Sequence, residues 1–417
     1  MKRSQQGITV YQGAGMLLAT LLGSGVLLVP ALVASYAGVY SLLAWSLMAL
    51  AVLPIVFTFA ALGRAYANQG GTAHFVQLAF GRRAAASLAW LYVSIAPIGP
   101  PVVIITGAAY FAQLFNLSMS LALWLELLML GVIFVLNIVK LTTSVRLQTW
   151  LSYSVTSIII VVCVVALSRS EASLPSGELQ WSDVGQSMAA IFWCFVGIEA
   201  ICHVANEFNR PKQDFPRAVV LGVAMAAAIY VLLSIAVLQY GAYGDDATNL
   251  LSVIQIAQAA LGPLGGKLIA LVGFVACFCA VNLYVLSFAR MLASMAEKGQ
   301  VMTSLGKQNR NQSPVFAVLI VTLAIALILV LKHQFAWSFA HLLAYANAVF
   351  VLIYLAAGLS AIKLLPGRQR YLAWFTALFC SLIAMFMAED VLYGVGVFVV
   401  AFAIDSMKQN KAMTEQT

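Results

Sequence analysis

Thr20-Leu21-Leu22-Gly23-Ser24-Gly25-Val26-Leu27-Leu28-Val29-Pro30 sits in the middle of an apolar run from Ile8 to Tyr36. Further along, Phe192-Trp193-Cys194-Phe195-Val196-Gly197-Ile198-Glu199-Ala200-Ile201-Cys202-His203 sits in the middle of another. Glycine costs a helix about 1 kcal/mol relative to alanine, so Gly23, Gly25 and Gly197 mark weak points in two otherwise helical segments. One reading is close packing or a kink, because small residues line helix contacts in membranes. The other is unwinding: both weak points lie near mid-depth, and one has an ionisable residue beside it. Glycine-interrupted spans at corresponding places in two halves of a chain are the pointer to an inverted-repeat transporter.

Composition supports the membrane setting on which this depends. Of 417 residues, 63% are hydrophobic and 9% charged, and the mean hydropathy is +0.97. Soluble domains carry about 25% charged residues. A soluble enzyme, a disordered chain and a nucleic-acid binder are thereby excluded. The spans read as 8–36, 40–63, 85–112, 119–139, 148–168, 184–208, 217–240, 266–296, 314–332, 337–361, 371–388 and 391–406. With the N-terminus in the cytoplasm, all of the 22 lysines and arginines except Arg169, Lys267 and Lys332 fall on the inner side. This asymmetry is the positive-inside rule, and it predicts an even number of spans with both termini cytoplasmic. The run from Ile8 to Tyr36 is too long for a cleaved leader, whose apolar region takes about 7–15 residues. All six cysteines fall inside spans, so no disulfide framework is implied.

Unwound helices at that depth have a chemical use. If the first span opens near Leu22–Gly25, its second half presents free N–H groups and the positive end of its dipole, which suit a carboxylate. Glycine there lets an anion reach the backbone. The first halves of both broken spans end in free carbonyls, which suit an ammonium group. An α-amino acid zwitterion needs both. Glu126, Glu199, His203 and His341 are the ionisable groups deep in the membrane, and each must face protein or water. Glu199 reads either as a proton site or as a neutral carboxyl pinning the broken backbone. For Glu126, His203 and His341, structural hydrogen bonding competes with a part in proton coupling. Trp193, four residues before Gly197, and Tyr284, two after Asn282, are either core or gate.

Between the spans, 64–84 reads as an amphipathic inner connection and 248–261 as a short outer helix. The segment 207–217 reads as a turn whose charges either anchor it in solvent or pair as an inner gate. No H-E-x-x-H is present and Ser24 has no positioned base, so an embedded enzyme is not expected.

L-L-G-S-G-V-L-L-V-P (21–30), N-Q-G-G-T-A-H-F (68–75), F-W-C-F-V-G-I-E-A (192–200) and E-F-N-R-P-K-Q-D-F-P-R-A (207–218) resemble the amino acid–polyamine–organocation transporter superfamily. H-F-V-Q-L-A-F-G (74–81), I-F-W-C-F-V-G-I-E (191–199) and Y-A-N-A-V-F-V-L-I-Y (345–354) resemble its bacterial exporters of methionine and branched-chain amino acids. The likeness covers the whole chain. It implies an all-α membrane protein of twelve transmembrane helices: a five-plus-five inverted repeat (1–168 and 184–361), two added helices (371–406) and a cytoplasmic tail (407–417).

The resemblance places a substrate carboxylate at Ser24 and Gly25, with Gly23 and Gly197 in the same broken segments. It places the amine at the carbonyls of Leu21, Trp193 and Val196, and makes Trp193, Tyr284 and Asn282 candidate gates. Span 8 lacks the adjacent Ser/Thr pair of sodium-coupled relatives, and span 5 lacks the lysine some relatives place there. The expectation is a proton-linked exporter of neutral apolar amino acids in a bacterial inner membrane, with no cofactor, metal or nucleic-acid partner. The alternative is an importer or exchanger of the same substrates.

Overall fold

The first apolar run folds as two rods. In the computed structural model, which describes residues 7–66, 71–139, 145–198 and 207–414, α1 spans Val10–Leu21 and α2 spans Gly25–Ala37. A capping box opens α1: Thr9 Oγ1 accepts the Gln12 N–H, and Gln12 Oε1 accepts the Thr9 N–H at 3.0 Å. α3 (Ser41–Ala65) follows, then the short α4 (Gly71–Phe80) within the connection read as amphipathic.

The third run also folds as two rods, α5 (Arg82–Ser94) and α6 (Gly99–Leu114). The run expected at 85–112 is one membrane-length segment, Arg82–Leu114, with a break inside it that was not expected, and the reason for the break is covalent. Pro100 and Pro101 have no N–H to return to the carbonyls of Ala96 and Pro97, so a single ladder cannot pass through them. α7 (Ala122–Ile138), α8 (Val145–Arg169) and α9 (Trp181–Ile191) complete the first part of the chain.

α10 (Pro211–Tyr240), α11 (Asp246–Leu261), α12 (Pro263–Glu297), α13 (Val315–Gln334), α14 (Phe339–Leu364) and α15 (Arg368–Thr414) make up the second part. α11 is the expected outer helix. It begins at Asp246 because Asp245 caps it, accepting the Thr248 N–H at 2.8 Å. Those hydrogen bonds from Thr248 hold the exposed Asp245 carboxyl below its ordinary range. α15 runs through both expected terminal spans, interrupted by Ala388 at φ 30°, and continues to Thr414 across most of the expected tail.

Among the described residues there is no strand, and one main-chain bridge joins Ile8 to Phe208. Seven described segments are long and apolar enough to cross a membrane, and three shorter apolar helices accompany them. The molecule is a multi-pass helical membrane protein. α2, α3, α6, α10, α12 and α14 supply the interior, where Trp45, Tyr110, Tyr230, Phe192 and Tyr354 are almost wholly buried.

The bridge ties the chain just before α1 to the chain just before α10. The Ile8 N–H donates to the Glu207 carbonyl at 2.9 Å and the Asn209 N–H to the Ile8 carbonyl at 3.1 Å. Phe208 is buried beside Phe215. Among the described residues, the ion pair of the 207–217 segment is local, Arg210 with Asp214 at 3.4 Å.

Candidate functional site

At Leu22 the chain leaves helical geometry (ψ 55°) after its N–H closes on the Leu18 carbonyl at 2.9 Å. Helical bonding restarts with Val26 N–H to the Gly23 carbonyl at 3.4 Å and Leu27 N–H to the Ser24 carbonyl at 3.1 Å. The amides of Gly23, Ser24 and Gly25 have no acceptor among the described residues. They are the orphan donors of a helix N-terminus, and no side chain caps them. Gly23 is exposed while Ser24 and Gly25 are buried.

The sixth apolar run breaks in a complementary way. α9 gives way to a tight 3-10 turn at Phe192–Phe195, Val196 is extended (φ −68°, ψ 140°), and Gly197 takes φ +95°. The Trp193 carbonyl accepts the Val196 N–H at 3.3 Å, while the Val196 carbonyl has no donor among the described residues. The Leu21 carbonyl, at the end of α1, accepts the Tyr230 hydroxyl at 2.8 Å. Among the described residues, one of the three carbonyls expected to hold an amine therefore has no donor, and each of the other two accepts one.

The two breaks face each other. A β-carbon built on Gly25 would lie 2.9 Å from Cys194 Sγ and 3.1 Å from Trp193 Cδ1, and one on Gly197 would lie 3.3 Å from Thr20 Cγ2. The third break joins them: a β-carbon on Gly99 would lie 3.5 Å from Trp193 Cη2. Donors of the first span and acceptors of the sixth thus flank the Trp193 ring, with the 95–98 turn behind it.

Three side chains absent from the expected set hold this arrangement. Tyr230 stacks on Trp45 (centroids 4.3 Å apart) while binding the Leu21 carbonyl. Tyr354 Oη accepts the Gly197 N–H at 3.2 Å. Asn347 Nδ2 donates to the carbonyls of Ala189 and Ala190, at 2.9 and 3.3 Å. The Tyr354 and Asn347 positions stand in the 345–354 motif, where polar groups in an apolar run are the available signal.

The remaining expected residues are dispersed. Tyr284 is half-buried on α12, and the aromatic partner of Trp193 is Phe350, at 6.4 Å between centroids. Asn282 is buried and accepts Asn137 Nδ2 at 2.8 Å, in a tie that Ser313 extends to the Asn137 carbonyl. Glu126, 1% exposed, lies near the start of α7, with its Oε2 3.0 Å from His333 Nε2. His333, at the end of α13, was not among the ionisable residues expected within the spans. His341 borders a cavity of about 470 Å³ that Tyr36, Gln186, Asp246, Asn249 and Asp390 also line. Glu199 and His203 lie outside the described residues. No cluster of three or more His, Cys, Asp or Glu that could hold a metal occurs among the described residues.

With this geometry in place, one family model and three relatives bear on it. The family model described as "Amino acid permease" matches residues 8–413. An "L-methionine/branched-chain amino acid exporter", YjeH of Escherichia coli (strain K12), is 33% identical over 398 residues, covering 94% of each chain. An "Uncharacterized amino acid permease", YecA of Bacillus subtilis (strain 168), is 28% identical over 93% of each. A "Serine/threonine exchanger", SteT of the same bacterium, is 24% identical over 69% of this chain and 67% of its own.

Proposed function

The chain belongs to the amino acid permease family, and from that premise we propose that it exports neutral apolar amino acids (methionine, leucine, isoleucine and valine) across a bacterial inner membrane by proton antiport. The facing breaks carry this reading. Among the described residues the amides at Gly23–Gly25 have no acceptor, Gly25 packs against Trp193 and Cys194, and the Val196 carbonyl of the same turn has no donor. A zwitterion can lay its carboxylate on the amides, at the positive end of α2. Its ammonium then meets Val196 and the second lone pairs of Leu21 and Trp193. No formal charge on the protein has to be buried to hold it. Trp193 and Tyr284 are the proposed covers. Asn282 gates through its bond to Asn137, which must part if α12 slides on α7.

Twelve crossings fit the segment lengths. Gly25–Ala65 and Arg368–Met407 hold 41 and 40 residues, about 60 Å each if straight, against an apolar membrane thickness of about 30 Å. Each turns partway, at Gly38–Tyr40 and at Ala388, and so supplies two crossings. α7, α8 and the run that α9 begins bring the number to twelve. On this reading 1–168 and 184–361 are the inverted repeats, 371–406 lies outside them, and 407–417 is cytoplasmic along with the N-terminus. The 470 Å³ cavity is then an outer vestibule and the Ile8 bridge an inner closure.

The name of the Escherichia coli relative supports these substrates and this direction. Deleting the gene should raise intracellular methionine, leucine, isoleucine and valine, and overexpression should lower them; unchanged pools in both strains would count against export. Proton coupling is assigned to Glu199, with His203, His341 and Glu126 as further candidates. Glu199→Gln should lose flux driven by a pH gradient while keeping exchange. An equal pH response in variant and parent would remove Glu199 from coupling. The second reading, an importer or exchanger of the same substrates, draws on the exchanger among the relatives. Counterflow without net efflux in liposomes would favour it.

A further inference from the structure

Between α5 and the last part of α15 runs a groove of about 570 Å³. Ala86 and Trp90 line it from α5, and Gly396, Ala401 and Asp405 from α15. Small residues hollow it out: nothing lies within 4 Å of a β-carbon built on Gly396. The ridge of α15 beside it is apolar and uncovered, with Leu392 66%, Val399 56% and Val400 58% exposed. In a multi-pass membrane protein, such a ridge within a membrane-length segment faces hydrocarbon.

The walls and the ends of the groove specify what fills it. Apolar walls give water too few hydrogen bonds to hold it, and an empty groove would forfeit the contacts of every atom that lines it. Leu392 and Asp405, both lining, stand 13 positions apart on one uninterrupted stretch of α15. At 1.5 Å per residue that is about 20 Å, against about 15 Å for the hydrocarbon of one leaflet. The groove therefore has the length of an acyl chain lying along its leaflet. Asp405 is the one charged side chain among the lining residues. Exposed cations stand near the same end: Arg82, four residues before Ala86 and so on its face of α5, and Lys298, two before the lining Gln300.

We propose that this groove binds one phospholipid whose headgroup ends in a primary ammonium, with an acyl chain along α15 between Leu392 and Ile404 and the ammonium on the Asp405 carboxylate. Charge complementarity selects the headgroup. A carboxylate accepts more than one hydrogen bond and donates none, so a primary ammonium brings it both opposite charge and N–H groups. A choline headgroup has the charge without the N–H groups, and a glycerol headgroup has no cation. Arg82 and Lys298 suit the phosphate, which all three share, so they do not discriminate. The lipid has a line to the candidate site. Tyr393, which also lines the groove, donates from its hydroxyl to the Ser94 carbonyl at 3.0 Å. Ser94 ends α5, directly before the 95–98 turn behind Trp193.

The test reads the fluorescence of Trp90 in the full chain reconstituted in phosphatidylcholine vesicles. That signal is the difference between the parent and Trp90→Phe, or Trp90→Tyr if the first does not insert. A minor fraction of the lipid carries dibrominated acyl chains, which quench a tryptophan they touch, on an ethanolamine, choline or glycerol headgroup. Half of the quenching should be reached with about threefold less brominated phosphatidylethanolamine than brominated phosphatidylcholine or phosphatidylglycerol, the scale of a partly exposed ion pair. Asp405→Asn should bring the three lipids together. Gly396→Leu, whose side chain enters open space, should weaken quenching by all of them. The headgroup comparison in the parent decides even if neither groove variant inserts. Equal quenching by the three lipids, a preference for phosphatidylglycerol, or a preference that survives Asp405→Asn would overturn the proposal. So would a Trp90 that none of them quenches, as when a second copy of the chain covers the groove. No transport is measured, so these outcomes leave the proposed function untouched.

Discussion

Gly25→Val abolishes amino acid flux, with a fall of at least about a hundredfold, while the protein still inserts and purifies. Two effects act at one atom. The added β-carbon falls 2.9 Å from Cys194 Sγ and 3.1 Å from Trp193 Cδ1. Cys194 is 2% exposed and has no room to retreat, and overpacking of this kind costs about 1–3 kcal/mol. The branched side chain also covers the Gly25 N–H, one of three donors offered to a carboxylate, and hydrogen bonds to charged groups contribute about 1.5–3 kcal/mol. Together these reach the stated loss, since about 1.4 kcal/mol is tenfold. Counterflow of labelled leucine in proteoliposomes, at matched protein content, checks it. Gly131→Ala is the control: nothing lies within 4 Å of a β-carbon there, and flux should be unchanged. Gly25→Val transporting at the parental rate would show that no ligand approaches this backbone.

Gly197→Ala is the second large effect, with flux expected to drop about tenfold to a hundredfold. Gly197 sits at φ +95°, a region where a β-carbon costs about 1–2 kcal/mol. The methyl would also crowd Thr20 Cγ2 at 3.3 Å. Relief comes from rewinding the turn into helix. Rewinding gives the Trp193 and Val196 carbonyls intrahelical donors and pulls the Gly197 N–H away from Tyr354 Oη. The variant should therefore be at least as stable as the parent to heat while transporting poorly. A parallel loss of stability and flux would place the damage in folding instead. Leucine counterflow and a melting curve on the same preparation separate the two.

The first-span break and the start of the sixth-span break were legible because glycine writes them locally: Gly23, Gly25 and Gly197 all stand where helical geometry fails. The short helix expected at 248–261 is present as Asp246–Leu261, starting two residues earlier because Asp245 caps it. The 95–98 break stood in view as Ala96-Pro97-Ile98-Gly99-Pro100-Pro101, but hydropathy runs through it undisturbed, and only the missing proline N–H groups reveal it. Glu126 with His333 and Tyr230 with Leu21 join residues 207 and 209 positions apart. Helices that are apolar on every side carry no amphipathic stripe to say which face turns inward. Tyr230, Asn347 and Tyr354 consequently look in sequence like any polar residue in an apolar rod.

Two main-chain hydrogen bonds, at about 0.5–1.5 kcal/mol each, are all that stitch Ile8 to 207–209. The same segment is also held by its side chain, since Phe208 packs against Gly13 and Phe215. Because every residue but proline carries an amide N–H, substitutions other than proline at Ile8 or Asn209 leave both donors of the stitching in place.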